Sequence, residues 1–321
     1  MRHFEIIHTI VRLVRDVAEI KREEKVLVLT DSGRWNLGEA FALASRGLGA
    51  ETVVMIMPVT EEHGNEPPAV VAAAMKAADV LLVATTRAIT HTEARRKASA
   101  AGTRIYLTRG VTEEMLVKGA VTADFKTLKE TTARVANALA GADEVRVQSP
   151  AGTDVTFKLT GRKVYPLDGF YRQEIGFVGF IAGEAPTSPV EGTTNGTIVF
   201  DYSMDGIGRL KQPLVLTVKE GGVVSVAGAS EEVSAIEQYF SQDENNRNIA
   251  EFAIGTNPNA RLIGIMAEDK KRAGTVHFAI GDSMSLGGTV KAEIHLDGLM
   301  LKPTVTVDGK TILVENGKIM V

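Results

Sequence analysis

The chain has 321 residues, 44% hydrophobic and 24% charged, with a formal net charge of −4 and no cysteine. That balance suits a chain with buried cores and room for two domains, and gives no pull towards nucleic acid or an anionic membrane. It also excludes disulfides and thiolate sites, so any metal must be held by His, Asp, Glu or water.

The N-terminal stretch interleaves Arg2, Arg12 and Arg15 with Ile6, Ile7, Ile10, Val11, Leu13, Val14 and Val17. This is the pattern of an amphipathic helix, not of a signal peptide with a continuous apolar centre. No apolar run approaches the roughly 18 residues a membrane span needs. A cytoplasmic protein is therefore expected.

Short Val/Ile/Leu-rich runs follow at Lys25–Thr30, Glu51–Met57, Asp79–Ala84 and Thr103–Leu107. Between them lie helical stretches, Leu37–Leu48, Pro67–Ala78 and Thr92–Ala101, with a further helix at Phe125–Leu139. Such alternation predicts an α/β domain with a doubly wound parallel sheet, Rossmann-like in order, over residues 1–141. The first turn, Asp31-Ser-Gly-Arg-Trp-Asn-Leu-Gly38, has the spacing of neither a dinucleotide fingerprint nor a phosphate loop. His91 follows the third strand's carboxyl end, where ligands of open α/β sheets gather. It reads either as a substrate-facing residue or as a solvated residue at a helix start.

From Asp143 the texture changes to short strands: Glu144–Gln148, Asp154–Leu159, Thr197–Tyr202, Leu214–Lys219 and Val223–Ala227. Gly221-Gly222, Asp308-Gly309 and Asn316-Gly317 are hairpin signals. One helix, Glu231–Ser241, interrupts them. Residues 142–321 are thus expected to form a β-rich α+β domain.

The candidate site lies here. Thr275–Gly281 and Lys291–Asp297 alternate as half-buried strands around a glycine-rich turn containing Asp282. His295 and Asp297, two residues apart, share a face at roughly 6.5–7 Å. If the strands pair, His277 joins them, giving two imidazoles and a carboxylate suited to Zn²⁺, Fe²⁺, Mn²⁺ or Co²⁺. Glu184, read as ending an apolar strand before Ala-Pro-Thr-Ser-Pro189, and Glu251, set among apolar residues, are the other acids of note. A buried carboxylate costs several kcal/mol unless paired or metal-bound.

Together, Gly-Glu184-Ala-Pro-Thr-Ser-Pro, Ala-Glu251-Phe-Ala-Ile-Gly-Thr-Asn-Pro, Gly-Thr-Val-His277-Phe-Ala-Ile-Gly and Glu-Ile-His295-Leu-Asp297 resemble the aminopeptidase T family of metallopeptidases. The resemblance implies a two-domain fold and a dinuclear site for divalent metal such as Zn²⁺ or Co²⁺, held by Glu184, Glu251, His277, His295 and Asp297. It also implies removal of N-terminal residues from peptides, often by a homodimer. Peptidases of that family place a tyrosine shortly after the first histidine; Gly281-Asp-Ser-Met-Ser-Leu-Gly-Gly288 has none. This departure, the shorter chain and His91-Thr-Glu-Ala-Arg95 bring it nearer a related branch that includes 2,5-dihydroxypyridine dioxygenases.

Three readings follow. In the first, an aminopeptidase uses a metal-activated water, with Glu184 or Glu251 as base and Asp282, Ser283 or backbone N–H groups of the glycine turn facing the oxyanion. In the second, His277, His295 and Asp297 hold one Fe(II) for ring opening, with Glu184 or His91 taking a substrate proton. In the third, the protein binds metal or a partner without catalysis.

Overall fold

A computed structural model describes residues 2–108 and 110–321, and side chains from residue 5 onward apart from Arg109. Arg2's side chain, part of the amphipathic pattern above, therefore lies outside the described residues. Contacts divide the chain into two units, Met1–Phe125 with Gly169–Ala182, and Lys126–Asp168 with Gly183–Val321. This differs from a single crossing near Gly141. The helix Phe125–Leu139 places Val135, Ala136 and Leu139 in the core of the second unit. Residues 169–182 return to the first, where Val178–Gly179 pairs with Arg104–Leu107.

The first unit is built on a parallel sheet ordered Glu51–Met57, Lys25–Asp31, Val80–Ala84, Arg104–Leu107 and Val178–Gly179. Val80–Ala84 is buried throughout, as a central strand covered on both faces must be. Helices Trp35–Gly47, Ala69–Ala77 and Glu93–Ala100 connect the strands. Buried Asp31 ties the ends of two of them, accepting hydrogen bonds from Gly33 N (3.0 Å), Thr86 N (2.6 Å) and Thr86 Oγ1 (2.8 Å).

The second unit holds two antiparallel sheets of eight and six strands. In the larger, tight turns at Glu220-Gly221, Asp308-Gly309 and Asn316-Gly317 have positive φ at both residues, matching the strand twist as two-residue hairpin loops do. The first of these falls one residue before the expected Gly221-Gly222. The smaller sheet runs Gly208–Arg209, Ser203–Met204, His295–Met300, Val276–Gly281, Ile249–Gly255 and Glu184–Thr187. Phe252 and Phe278 from this sheet meet Phe157 from the other at ring-centroid distances of 4.9 and 5.6 Å. These fully buried rings form the centre of the shared core and fix which face of the small sheet points away from it. Among the described residues, no helix is long and apolar enough to cross a membrane.

Candidate metal centre

The strands bearing His277 and His295 pair antiparallel, with Ala279 opposite Asp297 and Gly281 opposite His295. Side chains alternate, so Phe278 and Ile280 enter the core while His277, Asp297 and His295 share the other face. On the far side of Val276–Gly281, Glu251 pairs with Ala279 and Ala253 with His277. A bulge between Ile249 and Glu251 shifts the phase. Ile249 and Phe252 both enter the core, and Glu251 faces the site. Glu184 pairs with Gly255 and opens its strand Glu184–Thr187, rather than ending one as the sequence suggested. Small Ala253 and Ala279 leave room among the longer side chains.

Four strands thus deliver five polar side chains to one place. Glu251 spans the two imidazoles, Oε1 at 3.1 Å from His277 Nε2 and Oε2 at 2.9 Å from His295 Nε2. His277 Nε2 also lies 3.7 Å from Glu184 Oε2 and 4.0 Å from Asp297 Oδ1. Asp297 Oδ1 is 3.7 Å from His295 Nε2. Glu184, Glu251, His277 and Asp297 are all buried, at 4% exposure or less. His295 donates Nδ1–H to the Asp282 carbonyl over 2.8 Å, which directs its Nε2 inward.

The donor set fits a divalent cation. Glu184 Oε2 and Asp297 Oδ1 are buried acceptors with no hydrogen-bond partner, and both face His277 Nε2. Ligand atoms of Glu251, His295 and Asp297 lie within 4.8 Å of one another. Oxygen and imidazole donors of this kind suit Fe²⁺, Zn²⁺, Co²⁺ and Mn²⁺.

Two lysines complete the cluster. Lys270 Nζ donates to Asp297 Oδ2 at 2.7 Å and lies 3.9 Å from Glu184 Oε2. Lys271 pairs with Glu184 Oε1. Burial works against Asp297's charge, but Lys270, His277 and His295 together outweigh it and hold the carboxyl below its usual range. Burial likewise opposes charge on Glu251, yet hydrogen bonds from His277 and His295 hold it well below the ordinary carboxylate value. Asp297 and Glu184 in turn overcome burial to raise Lys270 well above the ordinary lysine value, whereas burial dominates for Lys271 and lowers it. In sequence, Glu268-Asp-Lys-Lys-Arg272 reads as a solvated charged run, which hides these lysines. The clue is its place, directly before the strand of His277.

The two remaining candidates take other positions. Asp282's carboxylate accepts from Met284 N (3.2 Å) and Ala292 N (3.3 Å) within the turn, so its carbonyl is what serves the site. His91 belongs to the first unit, exposed just before the cap Thr92, its carbonyl accepting from Arg96.

Fold and cluster together define a metalloenzyme with a divalent cation as cofactor. The family model of 2,5-dihydroxypyridine 5,6-dioxygenase (NicX) matches residues 7–321, and the chain belongs to that family. Among solved structures, 2,5-dihydroxypyridine dioxygenase from Pseudomonas putida KT2440 superposes with a TM-score of 0.85 at 18% identity, covering 99% of this chain and 98% of that one. Wild-type AmpT from Thermus thermophilus superposes with a TM-score of 0.72 at 15% identity, covering 99% of each. Both likenesses concern the fold. No curated protein matches the chain by sequence. The aminopeptidase T resemblance is thus matched by a likeness of fold, while the family match falls on the dioxygenase branch.

Proposed function

We propose that this protein is a ring-opening dioxygenase acting on a dihydroxylated pyridine or a close analogue. The observation behind this reading is the family match over residues 7–321. The geometry supports it through the inward His277, His295 and Asp297, an imidazole–imidazole–carboxylate set that leaves positions open on one cation.

Bound there, ferrous iron would supply the electron exchange with O₂ that breaking an aromatic ring requires. The chain's own residues hold and orient. The Asp282 carbonyl sets the tautomer of His295, and Glu251, which spans both Nε2 atoms in the metal-free protein, would be a further ligand once the ion takes those nitrogens. Glu184 Oε2, buried and without a hydrogen-bond partner, would take a substrate hydroxyl proton at that oxygen. Burial of this wall keeps competing water away.

The aminopeptidase reading ranks second, supported by the fold likeness to AmpT. The non-catalytic reading has no observation in its favour. We place the enzyme in the cytoplasm as a homo-oligomer, a reading supported only by the cysteine-free composition and the family resemblance seen in sequence.

The test is oxygen uptake with 2,5-dihydroxypyridine after anaerobic loading with Fe(II), beside leucine release from a Leu-peptide with Co²⁺, Zn²⁺ or Mn²⁺. Uptake matching substrate loss supports the proposal. Leucine release without oxygen uptake would overturn it.

A further inference from the structure

We infer that two copies of this chain join edge to edge through the strand Glu51–Met57, antiparallel about a two-fold axis, so that their parallel sheets continue into one another. The inference rests on the homo-oligomer reading above and names the surface that carries it.

Glu51–Met57 is the outermost strand of its sheet, and among the described residues no strand pairs with its outer side. Free N–H and C=O groups along such an edge invite another strand, so chains blunt it with short strands, lysines, prolines or bulges. Other sheet ends of this protein follow that rule: Val178–Gly179, Gly208–Arg209 and Lys318–Ile319 are two-residue strands. Glu51–Met57 does not. Its seven residues run in unbroken register with Lys25–Asp31, include no lysine, arginine or proline, and carry one charge, Glu51, at the first position.

Both flanks of this edge are apolar. Met55 packs against the cluster that holds Val71 and Met75 of the helix Ala69–Ala77, so Val53, two residues away, points to that side. Ile56 points to the other, where the helix Trp35–Gly47 lies against the strand. Val53, Ile56, Leu43 and Val70 are each more than half exposed. Ala69–Ala77 has one polar side chain, Lys76, yet leaves Val70, Ala73 and Ala77 exposed, and a helix apolar all round is ordinarily covered.

Charge complementarity identifies the occupant as a second copy. Glu39, Leu43 and Arg46 recur at helical spacing on the exposed side of Trp35–Gly47, and neither charge has an ion-pair partner among the described residues. A two-fold axis beside Leu43 reverses that order, setting Glu39 against Arg46 of the partner subunit at each end. The strand accepts the same axis. Gly38 packs on Thr30, which pairs with Ile56. Five helical residues on from Gly38 is about 7.5 Å, and two strand residues back from Ile56 is about 6.6 Å, so Leu43 lies level with Val54, the middle of the strand. Val53 then faces Met55 of the partner subunit, and no like charges meet. The face measures about 20 Å along the strand and about 30 Å across helix, sheet and helix, so a pair buries about 1,200 Å², enough for a specific interface.

The experiment is sedimentation of the full-length protein and its variants. Wild type should run at an even multiple of the 34.4 kDa chain mass. Glu39→Arg sets like charges together at both ends of the interface and should weaken the dimer at least about tenfold; adding Arg46→Glu should restore it to within about threefold. In this cysteine-free chain, Val54→Cys should form a disulfide dimer at the axis under mild oxidation, whereas Val224→Cys, exposed on Gly222–Ala227 in the second unit, should not. A monomeric wild type overturns both the inference and the homo-oligomer reading. An odd-numbered oligomer overturns the inference alone. So does one that Glu39→Arg leaves intact, that the charge exchange fails to restore, or that Val54→Cys does not cross-link.

Discussion

His295 Nδ1 and the Asp282 carbonyl lie 2.8 Å apart, and this one contact presents Nε2 of that imidazole to the acids of the centre. Burial opposes a charge on His295, but the Glu251 hydrogen bond and the charges of Asp297 and Glu251 prevail and raise its pKa to about 9. In the metal-free protein His295 is therefore an imidazolium at neutral pH.

A pH dependence follows, with a definite sign. The folded pKa lies above the ordinary value of about 6.5. The contribution of His295 to metal-free stability is therefore full below about pH 6.5 and is lost as pH rises to about 9. Metal binding runs the opposite way, because the ion must displace that proton. Apparent affinity should climb with pH by up to about tenfold per unit and flatten above about pH 9. Competition with a chromophoric chelator between these limits checks it, and a flat profile would contradict it.

Asp282→Ala separates side chain from backbone. Its carboxylate secures only the turn, through Met284 N and Ala292 N, whereas the carbonyl facing His295 survives the substitution. Loss of these bonds should cost about 1–2 kcal/mol in urea unfolding, with metal affinity changed by less than about threefold. A complete loss of metal would show that the carboxylate acts directly.

Gly281 has φ +105°, and a Cβ there would stand 2.1 Å from the Ile294 carbonyl oxygen. Gly281→Ala should therefore destabilise the protein by more than about 2 kcal/mol. Because Gly281 pairs with His295, metal affinity should fall with it. Unfolding curves and the same chelator competition report both effects.

Phe278→Ala probes the opposite face of the same strand. The ring is fully buried and packs at 5.4 Å from Phe252 and 5.6 Å from Phe157. Its removal should cost about 3–5 kcal/mol, read by denaturant midpoint at unchanged slope. A cost below about 1 kcal/mol would contradict the packing described.

Much of this arrangement is legible in the sequence, and the part that is not has a physical cause. Strong local patterns gave Glu51–Met57, Phe125–Leu139, Glu144–Gln148 and Leu214–Lys219 their observed bounds. Period-two alternation placed His295 and Asp297 on one face, because pleating alone determines that. The bulge before Glu251 leaves no such trace, since one extra residue changes the facing of a whole strand without changing composition. The return of residues 169–182 to the first unit depends on long-range pairing with Arg104–Leu107, and the two-residue strand Val178–Gly179 is too short to announce it. Nothing in the sequence singles out Lys270 and Lys271, because their burial comes from tertiary partners, Asp297 and Glu184, far away in the chain.

The central claim is that side chains from four strands converge on a divalent cation. Crystals of the metal-loaded protein, with anomalous diffraction at the metal's absorption edge, test it most directly. The account predicts an anomalous peak enclosed by Glu184, Glu251, His277, His295 and Asp297. A peak elsewhere, or none among these five in crystals shown to contain metal, would contradict it.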